Sequence, residues 1–311
     1  MLKGMKPPEK AELPRISDRI SFLYVERCQL EKDDGAIIIN TDDGSVSVPA
    51  GQILVLMLGP GTTITHKMIQ TAGEAGMSII WCGEEGVRFY AGGAPLSGDT
   101  KLLLKQAAIV SNQRARIQAA KRMYQIRYPD EDFTDCTMKQ LLGKEGRRVS
   151  RRYRELADKY NMTWNGRRYS PEDFDSNMPL QNALSCANAC LYGVCYAAIY
   201  ALGLSPGLGI IHTGMAKSFV LDVADLYKEK ISIPIAFQTI SQGDGNFEHR
   251  IRCSMRDEFR KRKFLDAVVQ DINSVLDEAP EIETEGNNLW AGRNNIVSGG
   301  RLYGTDGDKP E

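Results

Sequence analysis

The apolar residues of this chain change their spacing near residue 95, and this change limits the folds open to it. Before that point, short runs of β-branched and aromatic residues are separated by turn residues, a pattern typical of β-strands. After it, apolar residues recur every three or four positions over long stretches, which is typical of helices. We therefore predict an α+β chain, with a small N-terminal β-domain followed by a larger all-helical domain.

Four segments are predicted from this pattern. Residues 1–14 are charged and proline-rich and form a flexible N-terminus, whereas residues 15–94 form the β-rich domain. Residues 95–277 form the helical domain. Residues 278–311 are acidic and rich in Gly and Asn, a composition typical of disorder.

Individual elements are predicted within the two domains. Asp34-Gly35 and Asp43-Gly44 are expected to form tight turns between strands, and one helix is expected at residues 66–76. The strands are predicted at residues 20–25, 36–40, 45–49, 53–58, 78–82 and 87–91. The helices of the second domain are predicted at residues 101–128, 136–160, 181–203, 218–230 and 249–277.

The composition is that of a cytoplasmic protein. No run of eighteen or more apolar residues occurs, so we expect no transmembrane helix, and no apolar signal region follows the charged N-terminus. The seven cysteines are odd in number, which also fits a cytoplasmic chain. Cys186, Cys190 and Cys195 share a helix without a second thiolate or histidine pair to complete a zinc site, so we predict core thiols.

The net charge of −1 conceals a strong separation of charge along the chain. Residues 101–263 contain 27 Lys and Arg against 17 Asp and Glu, whereas the remainder contains 12 against 23. A basic middle between acidic ends favours a polyanionic partner, although solvated helix faces also produce part of such a count.

One histidine and two aspartates indicate where the chemistry lies. His212 is one of three histidines in the chain, and Asp222 and Asp225 follow it, three residues apart in a predicted helix. Both carboxylates therefore lie on one helix face, among apolar neighbours. Burying carboxylates is costly unless they are paired or bind a cation, so the pattern predicts a metal site.

A third acid interrupts the apolar stripe of another helix. Glu145 lies where the spacing calls for a hydrophobic residue, so it is expected either to pair with Arg148 or Arg152 or to face His212 and Asp225. Two carboxylates and an imidazole suit Mg²⁺ or Mn²⁺, with coordination positions left for water and phosphate oxygens. The stripe in question consists of Met138, Leu142, Val149, Tyr153 and Leu156.

Basic clusters accompany these acids. Arg252, Arg256 and Arg260 recur every four residues, so they lie on one helix face and suit contact with phosphates without reading a sequence. The alternative for each cluster is a solvated helix face. Further basic residues are Arg147, Arg148, Arg151, Arg152 and Arg154 after Glu145, and Arg167 and Arg168 between Trp164 and Tyr169.

Several ordered motifs resemble one protein family. The motifs are GlyProGlyThr at 59–62, GlyGluGluGlyValArgPheTyrAla at 83–91, LysGluGlyArgArgVal at 144–149, AsnGlyArgArgTyr at 165–169, CysLeuTyrGlyVal at 190–194, IleHisThrGly at 211–214 and SerPheValLeuAspValAlaAspLeuTyrLys at 218–228. With these motifs, the chain from about residue 14 to 275 resembles the CRISPR-associated integrase Cas1, in the type I-E subtype that works beside a Cascade complex.

The resemblance implies roles for individual residues. Glu145, His212 and Asp225 match the metal ligands of the family, and Asp222 matches an additional catalytic acid beside the metal. The resemblance also implies an N-terminal β-sandwich, a helical catalytic domain, a homodimer, and a Cas2 dimer that bridges two such dimers. Residues that match positions near the active centre or along bound DNA are Tyr169, Tyr192, Arg88, Arg252 and Arg256, and Arg260 extends the same helix face.

The function implied is integration of short foreign DNA into a CRISPR array by strand transfer, assisted by Mg²⁺ or Mn²⁺ and with double-stranded DNA as partner. The alternatives are a non-catalytic DNA-binding scaffold and a free-standing nuclease for branched DNA. Met215, Leu221 and Arg27 depart from the family pattern, since relatives often have Lys, Tyr and Tyr at these positions.

Overall fold

The computed structural model describes residues 20–33, 35–84, 88–93, 100–164, 166, 179–243, 245–277, 287–290 and 296–299. The chain divides into two compact units, residues 1–279 and residues 280–311. In the first unit, strands come first and helices follow, which confirms the predicted α+β fold class. The predicted flexible N-terminus, residues 1–14, lies outside the described residues.

The strands of the first unit form two four-stranded sheets. The first sheet has the order β1-β5-β7-β8, in which the first three strands are parallel and the last is antiparallel. The second has the order β4-β3-β2-β6. The strands are β1 (Ile20–Val25), β2 (Gln29–Asp33), β3 (Ala36–Thr41), β4 (Gly44–Pro49), β5 (Ile53–Leu58), β6 (Thr63–Ile64), β7 (Ser78–Cys82) and β8 (Phe89–Gly93).

The second sheet contains hairpins close to both predicted tight turns. Asp33 pairs with Ala36, and Gly35 between them has a positive φ of 85°, whereas Asp34 lies outside the described residues. Thr41 pairs with Gly44, so the second turn consists of Asp42 and Asp43, one residue earlier than the predicted Asp43-Gly44. Strand β2 was not predicted because its sequence, QLEKD, is mostly polar. Its only buried side chain is Leu30, which faces the core between the sheets.

The two sheets share one core, which agrees with the sandwich-like arrangement expected from the family. Leu30 and Ile37 of the second sheet pack with Ile53 and Leu56 of the first. Helix α1 (His66–Glu74) adds Met68 to this core. The helix begins after Thr65, whose side chain accepts a hydrogen bond from the backbone of Met68.

The opposite face of the first sheet packs on the central helix α5 (Pro179–Ala201). Val55, Met57 and Ile80 bury their side chains together with Ala197 of this helix. Phe89 of β8 stacks on two tyrosines of α5, with ring centroids 4.5 and 5.2 Å apart. The sheet is thus covered on both faces, which accounts for the continuous apolar runs of its parallel strands.

The helical region contains more breaks than its sequence pattern predicts. The segment 101–128 is divided at Asn112, whose side chain accepts from the backbone of Arg114 at 3.0 Å and so begins a new helix. The segment 249–277 is divided at Lys263, where φ is 46°. The remaining helices are α2 (Lys101–Ser111), α3 (Gln113–Arg127), α4 (Met138–Lys159), α6 (Ser218–Asp225), α7 (Ser232–Ser241), α8 (Phe247–Arg262) and α9 (Phe264–Leu276).

Two further differences concern the region after His212. Helix α6 ends at Asp225 rather than at the predicted residue 230, and turns follow up to Ile231. Helix α7 was not predicted because Pro234 interrupts a short apolar run. In the structure Pro234 lies in the first turn of α7, where its missing N–H would have no intrahelical partner.

Helix α5 forms the centre of the helical core. By length and composition it could cross a membrane, but 67% of its apolar stretch is buried inside the protein. Cys190 and Cys195 lie in this buried stretch and are free thiols, as predicted. Burial of this extent is typical of the core helix of a globular domain.

The second unit, residues 280–311, contains a short antiparallel hairpin. Strand β9 (Asn287–Trp290) pairs with β10 (Ile296–Gly299). Disorder was predicted for this tail, and these eight residues differ from that prediction because they form a ladder of backbone hydrogen bonds. The other residues of the tail lie outside the described part of the chain, and the predicted domain boundaries stay predictions.

Candidate metal centre in the helical domain

His212 lies in an irregular loop, residues 202–217, which side chains from distant helices hold in place. Gln106 of α2 is fully buried, and its amide nitrogen donates to the carbonyl oxygens of Ser205 and Leu208, both at 2.9 Å. The Nε of Arg116 on α3 donates to the carbonyl of Ile210 at 2.5 Å. These bonds satisfy backbone groups that no helix or sheet pairs, so they determine the loop conformation.

The same loop contains a glycine that admits no side chain. A Cβ at Gly209 would collide with the carbonyl oxygen of His212 and would lie 2.7 Å from the Cβ of Ser218. The backbone therefore approaches itself closely just before the histidine. Glycine is required here by space rather than by an unusual backbone angle.

Asp222 of α6 is the anchor of the loop. Its side chain is 1% exposed, and its Oδ1 accepts from the backbone N–H of His212 at 2.8 Å. Its Oδ2 accepts from the N–H of Ile211 at 3.0 Å and from that of Ile210. Several donors converge on one carboxylate, which offsets the cost of burying its charge.

The imidazole of His212 is oriented by the same carboxylate. Nδ1 lies 2.7 Å from Oδ1 of Asp222, which places the proton on Nδ1 and leaves the lone pair of Nε2 available. Nε2 faces Asp225, with 3.8 Å between Nε2 and Oδ2. The hydrogen bond to Asp222 raises the pKa of His212, burial opposes this rise, and the charge of Asp225 adds to it.

Asp225 forms an ion pair with Lys228. The Nζ of Lys228 lies 2.6 Å from its Oδ1, and the ammonium group also lies over the ring of Tyr192, 5.1 Å from the centroid. Burial lowers the pKa of Lys228, but the charge of Asp225, Tyr192 and the hydrogen bonds to both together outweigh it, and the net shift is upward. Lys228 is therefore a cation at neutral pH.

Glu145 of α4 is held by two residues of α3. Its Oε2 accepts from the hydroxyl of Tyr124 at 2.5 Å, and its Oε1 accepts from a guanidinium nitrogen of Arg127. The other terminal nitrogen of Arg127 donates to Glu229, which follows α6. One buried guanidinium thus joins two acids that are 84 residues apart in sequence.

The arginines that were considered as partners of Glu145 bind elsewhere. Arg148 pairs with Glu131, and Arg152 pairs with Glu155 at 3.4 Å. The apolar stripe of α4 also needs one correction, since Leu142 is 47% exposed and Leu141 takes its place in the core. Glu145 lies beside this stripe and is partly buried, as its position predicted.

Three of the four predicted acidic and histidine residues line one small pocket. Glu145, Asp222 and Asp225 meet there, on two different helices. His212 adjoins the pocket through its contacts with both aspartates. The remaining lining residues are Met123, Tyr124, Arg127, Ile211 and Leu226.

The donor chemistry of this pocket fits a divalent cation. The separation of 3.8 Å between His212 Nε2 and Asp225 Oδ2 is close to the roughly 3 to 3.5 Å between two ligands with metal bonds of about 2.0 to 2.1 Å. Glu145 supplies a third donor on the pocket wall, and the second hard oxygen donor. Within the described part of the chain, no three His, Cys, Asp or Glu side chains are already grouped closely enough to hold an ion. Arg127 pairs with Glu145, and Lys228 pairs with Asp225.

Comparison with known proteins identifies the family. The model of the family "CRISPR associated protein Cas1" matches residues 22–128 and 129–269. The chain belongs to the Cas1 family. The CRISPR-associated endonuclease Cas1 of Clostridium sp. strain SY8519 is 42% identical over 301 residues, which cover 95% of this chain and all of the relative. That of Escherichia coli K12 is 36% identical over 262 residues, covering 84% of this chain and 86% of the relative.

A solved structure supports the same relationship. A crystal structure of a TtCas1–DNA complex superposes with a TM-score of 0.78 at 34% identity, covering 86% of this chain and all of the other. The likeness extends over both the strands and the helices described above. The fold of this Cas1 family member is therefore that of a protein seen with DNA.

The predicted DNA-contact residues lie in different parts of the molecule. Arg88 is exposed at the start of β8, and Arg252 lies on α8. The positive charges of both arginines act on the thiol of Cys186. The pKa of this thiol is lowered to about 7, chiefly by a hydrogen bond with Cys190, whereas burial raises it and the charges of Arg252 and Arg88 add to the lowering. Arg88 and Arg252, 164 positions apart in sequence, thus both act electrostatically on the same thiol.

The other predicted contacts have mixed surroundings. Tyr192 is partly buried beneath the ammonium groups of Lys217 and Lys228. Arg256 pairs with Asp257 at 3.0 Å, and Arg260 is exposed at the end of α8. Tyr169, Arg167 and Arg168 lie outside the described residues.

A second basic surface lies on α4, away from His212. It is an open groove of about 1080 Å³. Three acids, Glu131, Glu155 and Asp158, interrupt it, and two of them pair with neighbouring arginines. The basic residues of the groove are Lys144, Arg147, Arg148, Arg151 and Arg154.

The residues that hold the predicted ligands were not among those predicted from the sequence. Arg127 lies on the buried face of α3 with Ala120, Met123 and Tyr124, where the spacing calls for an apolar residue. The same misfit drew attention to Glu145, so it could have drawn attention to Arg127. Lys228, three residues after Asp225, offers the weaker signal of a charged pair on one helical turn.

Proposed function

We propose that this Cas1 family member is a metal-dependent DNA integrase that inserts fragments of foreign DNA into a CRISPR array by strand transfer. The observation that carries the proposal is the bond between Asp222 and Nδ1 of His212, which leaves Nε2 facing Asp225 beside Glu145. Mg²⁺ or Mn²⁺ held by Glu145, His212 and Asp225 would lower the pKa of a DNA 3′-hydroxyl and offset negative charge on the phosphate.

The charges around the pocket support a single divalent ion. Four carboxylates face two cations there, so the group carries a net charge of −2 when His212 is neutral. One divalent cation balances this charge, which favours binding in a partly buried site. The acids are Glu145, Asp222, Asp225 and Glu229, and the cations are Arg127 and Lys228.

The residues of the chain prepare this chemistry. Asp222 fixes the imidazole tautomer and the loop that contains it, while Tyr124 and Arg127 hold Glu145. In strand transfer, the 3′-oxygen of the incoming DNA forms a bond to phosphorus, and the bond from phosphorus to the 3′-oxygen of the array strand breaks. The attacking hydroxyl loses a proton and the leaving oxygen gains one, so no external energy source is required.

The proposal includes partners and setting. The basic residues of α4 and α8 would contact phosphates of double-stranded DNA, so binding should be salt-sensitive and weakly sequence-specific. A homodimer, a bridging Cas2 dimer, membership of the type I-E subtype and a cytoplasmic location complete the proposal. The ordered motifs support the subtype and the Cas2 partnership, and the TtCas1–DNA complex supports the DNA partner.

A strand-transfer assay with Cas2 and Mg²⁺ or Mn²⁺ tests the proposal. Wild-type protein should join a short duplex with free 3′-hydroxyls to an array, and His212→Ala and Glu145→Ala should abolish joining while remaining folded. Joining at the wild-type rate by either variant would refute the assignment.

Two alternatives differ in their outcomes. The ion pairs of Asp225 with Lys228 and of Glu145 with Arg127 satisfy these acids without a metal, which favours a non-catalytic DNA-binding scaffold. A scaffold would show the same melting temperature with and without Mn²⁺, whereas a bound ion at 100 times its Kd stabilises by about 2.7 kcal/mol. The endonuclease names of the relatives favour a nuclease, which would cut branched DNA without Cas2 and without joining it.

A further inference from the structure

One face of α3 directs three polar groups at two acids from other parts of the helical domain. Tyr124 donates to Glu145 at 2.5 Å, and Tyr128 donates to Glu229. Between them, the two terminal nitrogens of Arg127 donate to Glu145 and Glu229, one to each. The helix itself contributes no residue to the proposed set of metal ligands, yet it contacts one of those ligands twice.

Burial makes this contact strong and keeps the donors protonated. The side chain of Arg127 is 5% exposed, and those of Glu145 and Glu229 are 18% and 15% exposed. Burial lowers the pKa of Arg127, but its neighbours, Glu145 foremost, outweigh this and raise it overall. Burial, and then the hydrogen bond to Glu145, raise the pKa of Tyr124, so its hydroxyl stays a donor.

The two contacts orient Glu145 without using up its capacity to bind an ion. A carboxylate has about four lone-pair sites, two on each oxygen. Tyr124 occupies one site on Oε2 and Arg127 occupies one on Oε1, so each oxygen keeps a free site. Carboxylates that bind metals in proteins are usually held by hydrogen bonds of this kind.

We propose that Tyr124 and Arg127 are positioning residues that hold Glu145 in the orientation for metal binding, with Glu229 in turn holding Arg127. This inference rests on the proposed function, since it concerns the same metal site. Without these hydrogen bonds, the side chain of Glu145 would lose conformational entropy when the ion binds. The two donors already restrict its rotation in the metal-free protein, so less entropy is lost on binding.

A purely electrostatic role of Arg127 predicts a different outcome. A buried positive charge close to the pocket repels a metal ion, so its removal would strengthen metal binding if charge were its main effect. Arg127→Lys separates the two roles, because lysine keeps the charge but cannot donate to two acids with a rigid planar fork.

The experiment measures the Kd for Mn²⁺ by electron paramagnetic resonance of the free ion, on the full chain in its wild-type and variant forms. Tyr124→Phe removes one donor to Glu145 and keeps the ring, and it should weaken binding about 10- to 100-fold, as should Arg127→Lys. Tyr128→Phe is the matched control, because its hydroxyl contacts Glu229 and not Glu145. Its Kd should rise much less than that of Tyr124→Phe, because Tyr128 acts on Glu145 only through Glu229 and Arg127.

Each outcome decides a specific point. Equal Kd values for Tyr124→Phe and Tyr128→Phe would overturn the inference, as would wild-type or tighter binding by Arg127→Lys. If Arg127→Lys does not fold, Tyr124→Phe decides alone. Strand transfer by Tyr124→Phe should recover at raised Mn²⁺, which a mere loss of folded protein would not produce. Absence of Mn²⁺ binding to wild type would refute the proposed metal function itself, and the inference with it.

Discussion

Replacing Asp222 with asparagine should damage both the loop that contains His212 and the imidazole itself. The substitution keeps the size of a side chain that is 1% exposed but exchanges one carboxylate oxygen for an amide nitrogen. In the native site, Oδ1 accepts from the backbone and Nδ1 of His212, and Oδ2 accepts from the backbone of Ile210 and Ile211. An amide nitrogen is a donor and can serve none of the three backbone groups.

The cost follows from the cheaper of the two orientations of the amide. If the nitrogen replaces Oδ2, two backbone N–H groups lose their acceptor, whereas replacing Oδ1 leaves only the N–H of His212 without one. A hydrogen bond to a charged group contributes about 1.5 to 3 kcal/mol, and the remaining bonds become neutral and weaker. We expect Asp222→Asn to lower the free energy of unfolding by about 2 to 4 kcal/mol.

The same orientation also changes the imidazole. The amide nitrogen would donate to Nδ1 of His212, so the proton of the neutral ring would move to Nε2. Nε2 would then have no lone pair to offer to a metal ion. Asp222→Asn should therefore lose Mn²⁺ binding although Asp222 is not itself a proposed ligand.

The assay compares this variant with Asp225→Asn in thermal melts with EDTA and in Mn²⁺ titrations. Asp225 and its partner Lys228 are 17% and 18% exposed, and the amide oxygen of asparagine can still accept from Lys228, so this substitution should cost about 1 to 2 kcal/mol. At about 2 to 4 °C per kcal/mol, Asp222→Asn should lower the melting temperature by about 4 to 16 °C. Both variants should lose Mn²⁺ binding. The reasoning fails if Asp222→Asn melts at the same temperature as the wild type, or if Asp225→Asn lowers the melting temperature as much as Asp222→Asn does.

Three other perturbations test separate parts of the structure. Gly209→Ala should destabilise by about 1 to 3 kcal/mol and weaken Mn²⁺ binding, because the added Cβ displaces the carbonyl of His212. In metal-free protein, the hydrogen bond to Asp222 raises the pKa of His212, so the charged imidazole stabilises the folded state. This stabilisation is fully present below the pKa of unfolded histidine, about 6.5, and is lost as the pH rises through the higher pKa of the folded protein. The melting-temperature difference between wild type and His212→Gln should accordingly shrink from about pH 5.5 to pH 8.5. Arg252→Gln should weaken DNA binding and reduce the slope of log K against log salt by about 0.9.

Matched variants and contrary results accompany these three. Gly207→Ala is the control for the loop, since its Cβ would meet nothing closer than 3.7 Å, and equal loss in both glycine variants would contradict the steric argument. If the melting-temperature difference between the wild type and His212→Gln grows as the pH rises, the upward shift of the His212 pKa is contradicted. Both Arg252 and Arg262 pair with a glutamate one turn earlier on α8, but Arg262 lies off the face shared by Arg252, Arg256 and Arg260, so Arg262→Gln is the control. An unchanged salt slope for Arg252→Gln would exclude a phosphate contact.

The sequence predicted those parts of the site in which the information is local. His212 and Asp222 are ten residues apart in one apolar segment, and the structure joins them directly. Glu145 was found because it interrupts an apolar stripe. Its partner Arg127 was not found, because the prediction considered Arg148 and Arg152, which are near Glu145 in sequence. Arg127 lies on another helix and reaches Glu145 through the packing of α3 against α4.

The fold shows the same limit. Runs of β-branched residues and Asp-Gly turns located most strands, and helical spacing located most helices. The divisions at Asn112 and Lys263 were missed because each depends on one residue whose neighbours continue the helical pattern. Strand β2 was missed because its pairing with β3 and β6 compensates for a polar sequence.

The support of the loop at residues 202–217 has a consequence for protein engineering. Gln106 and Arg116 hold its backbone from about 100 residues upstream, and Asp222 holds it from the following helix. A graft of the loop and α6 alone into another helical scaffold would leave several backbone groups of the loop without hydrogen-bond partners. The loop conformation, and with it the position of the His212 imidazole, would no longer be fixed. A transplantable unit must also include the facing turns of α2 and α3, so the smallest portable version of this centre spans four discontinuous pieces of chain once Glu145 is added.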